Sequence, residues 1–580
     1  MRHFIPFVLA AAMSAQTATD PLLKAMKDEL ERSRTLQIEA LDKPYYIEYN
    51  VEDIRSYSVS ATLGGILARN STHIRVPRTR VRVGDYTFDN TNYLYSDVFG
   101  GARYDSSELP LDDSYLGIRR NFWLSTDRSY KGAVEAITRK RAALKNITQP
   151  EMLADFWKAK PVVRVDPIVR MNVSLDQWTE RVRNLSTVFA SYPEILASTV
   201  GFDTNDSTFY LVNTEGAMLR LPDPVATLQI RATAQAPDGM TVRDAVIMPA
   251  LDQKTLGSDG DLRKVADQVA QRVKALAAAP VGETYSGPVL IEGMAGAQVI
   301  AEVLGPNLAL PRRPIGEPGR PAPFQPSEFE GRIGSRVLPE FLDVVDDPTQ
   351  KTWNGIPLIG FYEVDYEGIT PAPLTLVEKG KLKTVLLGRQ PVKNFDASNG
   401  RARVPGAYGA NAVAISNLFV KSSETVKGAE LRAKFLKMIQ DRSKPYGIIV
   451  RKMDFPTTAP GEELRRTFMA ASQSGGSRAV SVPLLVYRVY PDGKEELVRG
   501  LRFRGLNVRA LRDIVAVSEE NYAFHYLNTL APMSMSGGGY VAPASVVAPS
   551  LLFDDLELER PPDDLPKMPV VPPPPLSAKR

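Results

Sequence analysis

The sequence predicts an α+β protein, in which a mixed α/β N-terminal domain precedes a C-terminal domain of mainly antiparallel strands, arranged as a barrel or a sandwich. Three observations support this fold class. Helical periodicity alternates with strand-like runs up to about residue 285, short strand-like runs with tight turns dominate after residue 335, and 580 residues suffice for two to four domains of ~100–200 residues.

In the first half, helical periodicity is clearest in four stretches, which are 20–34, 133–145, 175–189 and 261–278. The first opens with Asp20 as a cap and Pro21 at the favoured first position. Strand-like runs occupy 45–51, 72–76, 208–212 and 217–221. The last two are joined by 213–216, where Asn213 and Gly216 suit a tight reversal, so they are predicted to pair.

The second half begins with a breaker cluster at 286–288. Its predicted elements are a strand at 289–291, helices at 295–304 and 429–441, and hairpins around 377–382 and 490–494. Residues 305–335 are rich in Pro, Gly and Arg, which predicts a long, mobile loop.

Composition excludes several classes of function. The 71 basic and 67 acidic side chains give a net charge of +4 without a basic block, so no nucleic-acid partner is expected. Cysteine is absent, which removes thiolate nucleophiles and thiolate metal ligands. A histidine-based metal site would have to draw on His3, His73 and His525.

The N-terminus has the pattern of a secretory signal peptide. A short polar start is followed by an apolar run at 4–12 and by small residues that suit cleavage around 14–18. The run is about half the ~20 apolar residues that a membrane span needs, and no other stretch is long enough. The alternative interpretation is a buried N-terminal helix. We expect an exported protein, periplasmic or extracellular, without a membrane span.

The predicted organisation has four parts. They are a signal peptide at 1–18, an N-terminal α+β domain at 19–285, a β-rich C-terminal domain at 286–560 and a disordered Pro-rich tail at 561–580.

Several segments together resemble the TldD/PmbA family, the modulator-of-gyrase metallopeptidases. The segments are the turn 213–216, the Val-Asp-Asp-Pro-Thr stretch at 345–349, the turn at 377–382, Ser-Asn-Gly-Arg at 398–401, Ser-Asn-Leu at 416–418 and the chain end at 549–558. Each is short, but their order over about 200–560 is specific.

The resemblance places the family's His-Glu-x-x-x-His zinc helix at 301–306. In zinc-bearing members the histidines bind the metal, the glutamate is the general base, and a later cysteine is the third ligand. Here Ala301 and Pro306 occupy the histidine positions, and only Glu302 is retained. Neither replacement carries a donor atom, so no cofactor is expected where active members hold zinc.

Glu302 has two interpretations. As a vestigial general base it would face a cleft. On a helix whose core stripe is formed by Val299, Ile300, Val303 and Leu304, it would instead be a solvated surface carboxylate. A lone carboxylate without a metal makes a poor peptidase. His73 and His525 lack a second ligand at metal spacing and are expected to have ordinary packing or surface roles.

Three hypotheses follow. The first is a catalytically inactive, TldE-like protein that binds an extended peptide or unfolded segment, as a homodimer or beside a zinc-bearing TldD-like chain. The second is an active metallopeptidase with rearranged ligands, using Glu302, His525 and another carboxylate. The third is a non-enzymatic extracytoplasmic binding module, whose candidate contact residues are the tryptophans Trp123, Trp157, Trp178 and Trp353.

Overall fold

The computed structural model describes residues 20–39, 41–93, 109–145, 153–316, 324, 326–405, 411–455, 480–528 and 542–560. The predicted signal peptide and the predicted Pro-rich tail lie outside the described residues. Within the described residues, no helix is both long and apolar enough to cross a membrane.

The first domain is built on a six-stranded sheet. Its strands are β1 (Pro44–Thr62), β2 (Gly65–Val83), β3 (Val163–Val165), β4 (Ile195–Asn213), β5 (Met218–Gln235) and β6 (Thr241–Ala250). Their order is β2-β1-β4-β5-β3, with β6 also paired to β5. All pairs are antiparallel except β3 with β5. The predicted reversal at 213–216 is confirmed, because it joins β4 to β5.

Helices cover one face of this sheet. They are α1 (Pro21–Ser33), α2 (Tyr115–Leu144), α3 (Leu175–Ser186) and α4 (Asp259–Ala278). Alternate β1 residues such as Tyr49 and Val59 point into the cores beneath these helices, because strand side chains alternate between faces. The opposite face of the sheet, called the outer face, contacts the second domain.

The helix predicted at 133–145 begins eighteen residues earlier than expected, at Tyr115. Its side chains Ile118, Phe122 and Tyr130 are fully buried, but polar and exposed residues such as Trp123 interrupt the pattern between them. The apolar stripe was therefore too sparse to recognise from the sequence.

The second domain contains an eleven-stranded sheet. Its strands are β7 (Tyr285–Ile291), β8 (Leu342–Asp346), β11 (Leu374–Glu378), β12 (Lys381–Leu382), β15 (Asn417–Ser422), β16 (Gly447–Met453), β17 (Pro483–Val489), β18 (Glu495–Val498), β19 (Arg502–Arg504), β20 (Ile514–Asn528) and β21 (Ala542–Glu559). Two short hairpins add β9 (Thr352–Trp353) with β10 (Ile356–Pro357), and β13 (Ala402–Pro405) with β14 (Asn411–Val413).

The pairing in this sheet is mainly antiparallel, with two parallel pairs, β15 with β21 and β7 with β16. Helix α5 (Met294–Val299) follows β7, and α6 (Gly428–Asp441) precedes β16. The predicted α+β fold class is confirmed. The predicted hairpins around 377–382 and 490–494 are confirmed as β11–β12 and β17–β18.

Three of the segments that carry the family resemblance meet at one buried carboxylate. Asp346 at the end of β8 accepts hydrogen bonds from Arg401 Nε (2.9 Å) and from Ser416 N and Oγ (2.8 and 2.9 Å). Both Asp346 and Arg401 are almost completely buried. The pair therefore ties distant turns of the second domain to its central sheet, a structural role.

Arg389 joins the two domains. This buried side chain donates to the carboxylate of Glu215 (2.7 Å), in the β4–β5 turn, and to the carbonyl oxygen of Trp157 (2.8 Å). Its guanidinium also lies 4.0 Å from the ring centre of Phe156. The glutamate of the family-like turn is thus an interdomain anchor.

Candidate functional site

The segment that the resemblance assigns to the zinc helix starts as α5 beneath β21. Its approach is close, because a Cβ added at Gly296 would overlap the carbonyl oxygen of Pro549. From Ile300 to Leu304 the helix widens into a π-turn, which closes with a hydrogen bond from Gly305 N to the Ile300 carbonyl. A 3₁₀ turn, Gly305–Leu308, follows.

The helix predicted at 295–304 therefore does not simply end at Gly305 and Pro306. In a regular α-helix, positions five apart differ by about 140°. The wider π-turn brings Ala301 and Pro306 nearer to the same side. Pro306 has no N–H to donate to the Ala301 carbonyl, so the π-pattern cannot continue past it. The backbone shape suits a His-Glu-x-x-x-His pair, although the side chains do not.

The residues at this turn do not fit a zinc ion. Ala301 is 2% exposed and packs in the main hydrophobic core of the domain, and neither it nor Pro306 has a side-chain donor. Zinc is held by imidazole, thiolate or carboxylate groups, usually three from the protein at a catalytic site. Within the described residues, no group of three His, Cys, Asp or Glu side chains could hold a metal ion.

Glu302 is buried, so its interpretation as a solvated surface carboxylate is wrong. It is 7% exposed, and its Oε1 accepts hydrogen bonds from Ser481 N (2.8 Å) and Ser481 Oγ (2.7 Å). The surface position was inferred from the spacing of a regular α-helix. The π-turn has more residues per turn, so it changes which side chains face the core. Its role as a vestigial general base stays a prediction.

The two remaining described histidines lie in strands. His525, on β20, shares a 2.8 Å hydrogen bond between its Nδ1 and Ser545 Oγ, and burial lowers its pKa. His73, on β2, contacts Asp53 at 2.8 Å. Each imidazole thus has a polar partner of its own, Ser545 for His525 and Asp53 for His73.

The outer face of the first sheet contacts the second domain at two places, and the region between these two contacts is called the cleft. At one end, Phe209 of β4 stacks on Tyr366 with ring centres 4.3 Å apart, and Tyr366 donates to Asp223 (2.7 Å). At the other end, Arg243 of β6 forms an ion pair with Asp454, which follows β16.

The second end of the cleft is continuous with the π-turn. Gln298 of α5 accepts a hydrogen bond from Met453 N (2.9 Å), the residue before Asp454. Asp454 N in turn donates to the carbonyl of Val482, next to Ser481. The backbone around Glu302 and the outer face of the first sheet are therefore linked through a short chain of polar contacts.

The cleft floor is the stretch of outer face between these two ends, and it carries Ser56, Ser58, Asp203, Asn205 and Gln229. Asp203 accepts a hydrogen bond from Gln229 Nε2 (3.2 Å), and Gln229 Oε1 accepts one from Arg231 (3.1 Å). Burial raises the pKa of Asp203 to about 6, although the positive charge of Arg231 opposes the shift.

Sequence reasoning placed the candidate site at the helix and did not find the floor. Its residues lie in the alternating β-pattern of β1, β4 and β5, where polar side chains facing away from the core are ordinary. The four tryptophans do not form a common surface. Trp178 is a buried residue of α3, Trp123 is 47% exposed on α2, and Trp353 packs with Phe419 and Leu358 in the second domain.

Parts of this chain are similar to known proteins. Residues 285–459 match the family model of the PmbA/TldA metallopeptidase C-terminal domain. A metalloprotease of Archaeoglobus fulgidus is 33% identical over 78 residues, which are 13% of this chain and 17% of that protein. A metalloprotease of Methanocaldococcus jannaschii is 34% identical over 101 residues, 17% of this chain and 21% of that protein. The chain thus spans about a fifth of the length of these relatives.

Two solved structures share the fold over most of the chain. A modulator of DNA gyrase from Thermotoga maritima superposes with a TM-score of 0.56 at 13% identity, covering 88% of this chain and 96% of the other. TldE from Thermococcus kodakarensis superposes with a TM-score of 0.54 at 12% identity, covering 92% and 100%.

The fold and the matched region define a two-domain α+β protein with a C-terminal domain of the metallopeptidase type. Residues 285–459 therefore match a domain of the TldD/PmbA family, the family that the order of the sequence segments resembles.

Proposed function

We propose that this chain is a catalytically inactive, TldE-like member of its family that binds extended peptides in the interdomain cleft, alone or beside a zinc-bearing family member. One observation carries the proposal. The π-turn has the backbone shape for a metal-binding helix, but Ala301 and Pro306 supply no donor atom. Without a Lewis acid to activate water, the remaining Glu302 is too weak a catalyst for peptide hydrolysis.

The environment of Glu302 supports the same conclusion. A general base must reach the proton that it removes from water. The Oε1 of Glu302 is engaged by both the amide and the hydroxyl of Ser481, and the side chain is buried. This carboxylate therefore fixes the start of the segment that leads into β17.

The cleft suits an extended peptide. Its floor presents serine, asparagine, aspartate and glutamine side chains, which can hydrogen-bond the N–H and C=O groups of a backbone. A peptide could also add a strand to a sheet edge, as other peptide-binding proteins allow. Export of the chain is part of the proposal, and sequencing the N-terminus of the mature protein tests whether cleavage occurs near residues 14–18.

Binding and cleavage are measured together on the full chain. A decapeptide labelled at its C-terminus is titrated by fluorescence anisotropy, and the same sample is then analysed by mass spectrometry, with and without added zinc. We expect saturable binding and an intact peptide in both conditions. Zinc-dependent cleavage would contradict the proposal.

A matched pair of variants locates the peptide. Ser58→Trp places a large ring on the cleft floor, whereas Ser71→Trp places the same ring on the exposed part of β2. We expect Ser58→Trp to weaken binding by roughly tenfold or more, because an occluding side chain removes contacts across the cleft. Equal affinity for both variants would move the peptide to another surface.

A further inference from the structure

Four polar side chains of the cleft floor lie close together in a defined arrangement. Asp203 and Asn205 are two residues apart on β4, so their side chains leave the same face of the sheet. In the strand register Ser58 lies opposite Asp203, and Ser56 lies opposite Asn205. The four side chains therefore form one compact patch.

This patch has more hydrogen-bond acceptors than donors. Within the part of the chain that the structure describes, Asp203 accepts one hydrogen bond, from Gln229 Nε2, at Oδ2. Among the described residues, the side-chain oxygen of Asn205 is buried and has no hydrogen-bond partner. Leaving a buried acceptor unpaired costs free energy, which a ligand with matching donors would recover. The two serine hydroxyls can each accept a further bond.

The charges nearby select a cation over an anion. Arg231 donates a hydrogen bond to the side-chain oxygen of Gln229. Gln229 therefore directs its amide N–H toward Oδ2 of Asp203, and Oδ1 of Asp203 takes no part in this hydrogen bond. Arg243, another cation at this end, is paired with Asp454. A compact group with three donors fits such acceptors better than a planar guanidinium does.

We propose that Asp203 and Asn205 form a subsite in the cleft that binds a primary ammonium group, either the α-amino terminus of a peptide or a lysine side chain. This inference rests on the proposed function, since it names what the cleft recognises in its peptide. Ser56 and Ser58 complete the site as neutral acceptors.

Three peptides test the subsite on the full chain at pH 7.5. The first has a free N-terminus and no lysine, the second is its N-acetylated form, and the third is acetylated and carries one lysine. We expect the first to bind roughly tenfold more tightly than the second, as a charge-assisted hydrogen bond allows. Tight binding of the third identifies lysine as a second source of the amine, and weak binding restricts the site to the N-terminus.

Two variants test whether the Asp203 carboxylate causes the preference for a free amine. Asp203→Asn, nearly isosteric, is expected to reduce the preference for the free amine to less than about twofold. Asp176→Asn is the control, because this carboxylate side chain is 89% exposed on α3, away from the floor. Retention of the preference in Asp203→Asn would overturn the assignment.

The unmodified chain provides a second test that does not depend on a variant folding. The peptide amine has a pKa near 8, so it is mostly protonated at pH 7.5 and more fully protonated at pH 5, whereas protonation of Asp203 over this range removes the attracting charge. Among the described residues, the charged groups near it are Arg231 on β5 and the pair of Arg243 and Asp454, and the residues of β1 opposite it on the same face are Ser56 and Ser58. The preference should therefore decline below about pH 6.

The outcomes separate the two proposals. Equal affinity for the free and acetylated peptides at pH 7.5 would overturn the amine subsite and leave the peptide-binding function intact. Failure of every peptide to bind would instead overturn the proposed function, and the subsite with it.

Discussion

At the residue scale, the carboxylates of Glu302 and Asp203 are held in different ways. Glu302 accepts two hydrogen bonds from Ser481. Asp203 receives one hydrogen bond from a neutral amide, and burial raises its pKa to about 6. The hydrogen bonds of Glu302 stabilise the folded chain. The ionised form of Asp203 destabilises it, and a bound cation would reduce that free-energy cost.

Asp203 predicts a pH-dependent stability effect. Its folded-state pKa lies above the usual value near 4, so its ionised form destabilises the folded chain above about pH 6, and the cost disappears as pH falls toward 4. We expect Asp203→Asn to raise the free energy of unfolding by about 1–2 kcal/mol at pH 8 and to have little effect at pH 4. Denaturant unfolding at both pH values measures this. A variant that is less stable at pH 8 would contradict the account.

Glu302 predicts the opposite behaviour. Glu302→Ala leaves the Ser481 amide without its acceptor and creates a cavity, so we expect a loss of about 2–3 kcal/mol. Glu302→Gln keeps an acceptor oxygen and should lose less. Glu31→Ala is the control, since Glu31 is 57% exposed on α1. If Glu302→Ala proved as stable as that control, the residue would have no anchoring role.

At the element scale, the sequence located α5 correctly but not the π-turn that follows it. Apolar spacing identifies helical residues, but one wider turn changes which side chains are buried without changing the composition. Glu302 was misjudged for this reason. The hairpins were easier to predict, because turns such as Asn213–Gly216 and Lys379–Gly380 specify reversals locally.

The contact between α5 and β21 gives a prediction for this element. Gly296→Ala would force a methyl group onto the Pro549 carbonyl, and backbone on both sides would have to shift. We expect a destabilisation of about 2–4 kcal/mol, measured by denaturant unfolding. Gly132→Ala on α2 is the matched control, because a Cβ there meets nothing within 4 Å. It should stabilise the chain by up to about 1 kcal/mol.

At the scale of the whole molecule, the sequence predicted the fold class and the resemblance of the second domain to the TldD/PmbA family, but not the junction between the two domains. Arg389 and Glu215 are 174 residues apart, and no local pattern pairs them. The floor was equally invisible, because Ser58 and Asp203 become neighbours only through the register of β1 and β4. Long-range pairings of this kind depend on topology rather than on periodicity.

Arg389→Met tests the junction. The substitution removes the cationic partner of the buried Glu215 carboxylate, which keeps the hydrogen bond from the Tyr86 hydroxyl, and we expect it to cost about 3–5 kcal/mol in unfolding free energy. Arg183→Met is the control, since Arg183 is 43% exposed on α3 and its pairing with Glu180 is worth little. Equal stability of the two variants would show that the arginine does not hold the domains together.

The central claim is that this family fold is present without its metal chemistry. Elemental analysis of mature, tag-free protein, combined with a peptidase assay on the same sample, tests it most directly. The account predicts no zinc in stoichiometric amount and no hydrolysis that a chelator stops. About one zinc per chain, together with chelator-sensitive hydrolysis, would contradict it and would require a metal site that Ala301 and Pro306 cannot supply.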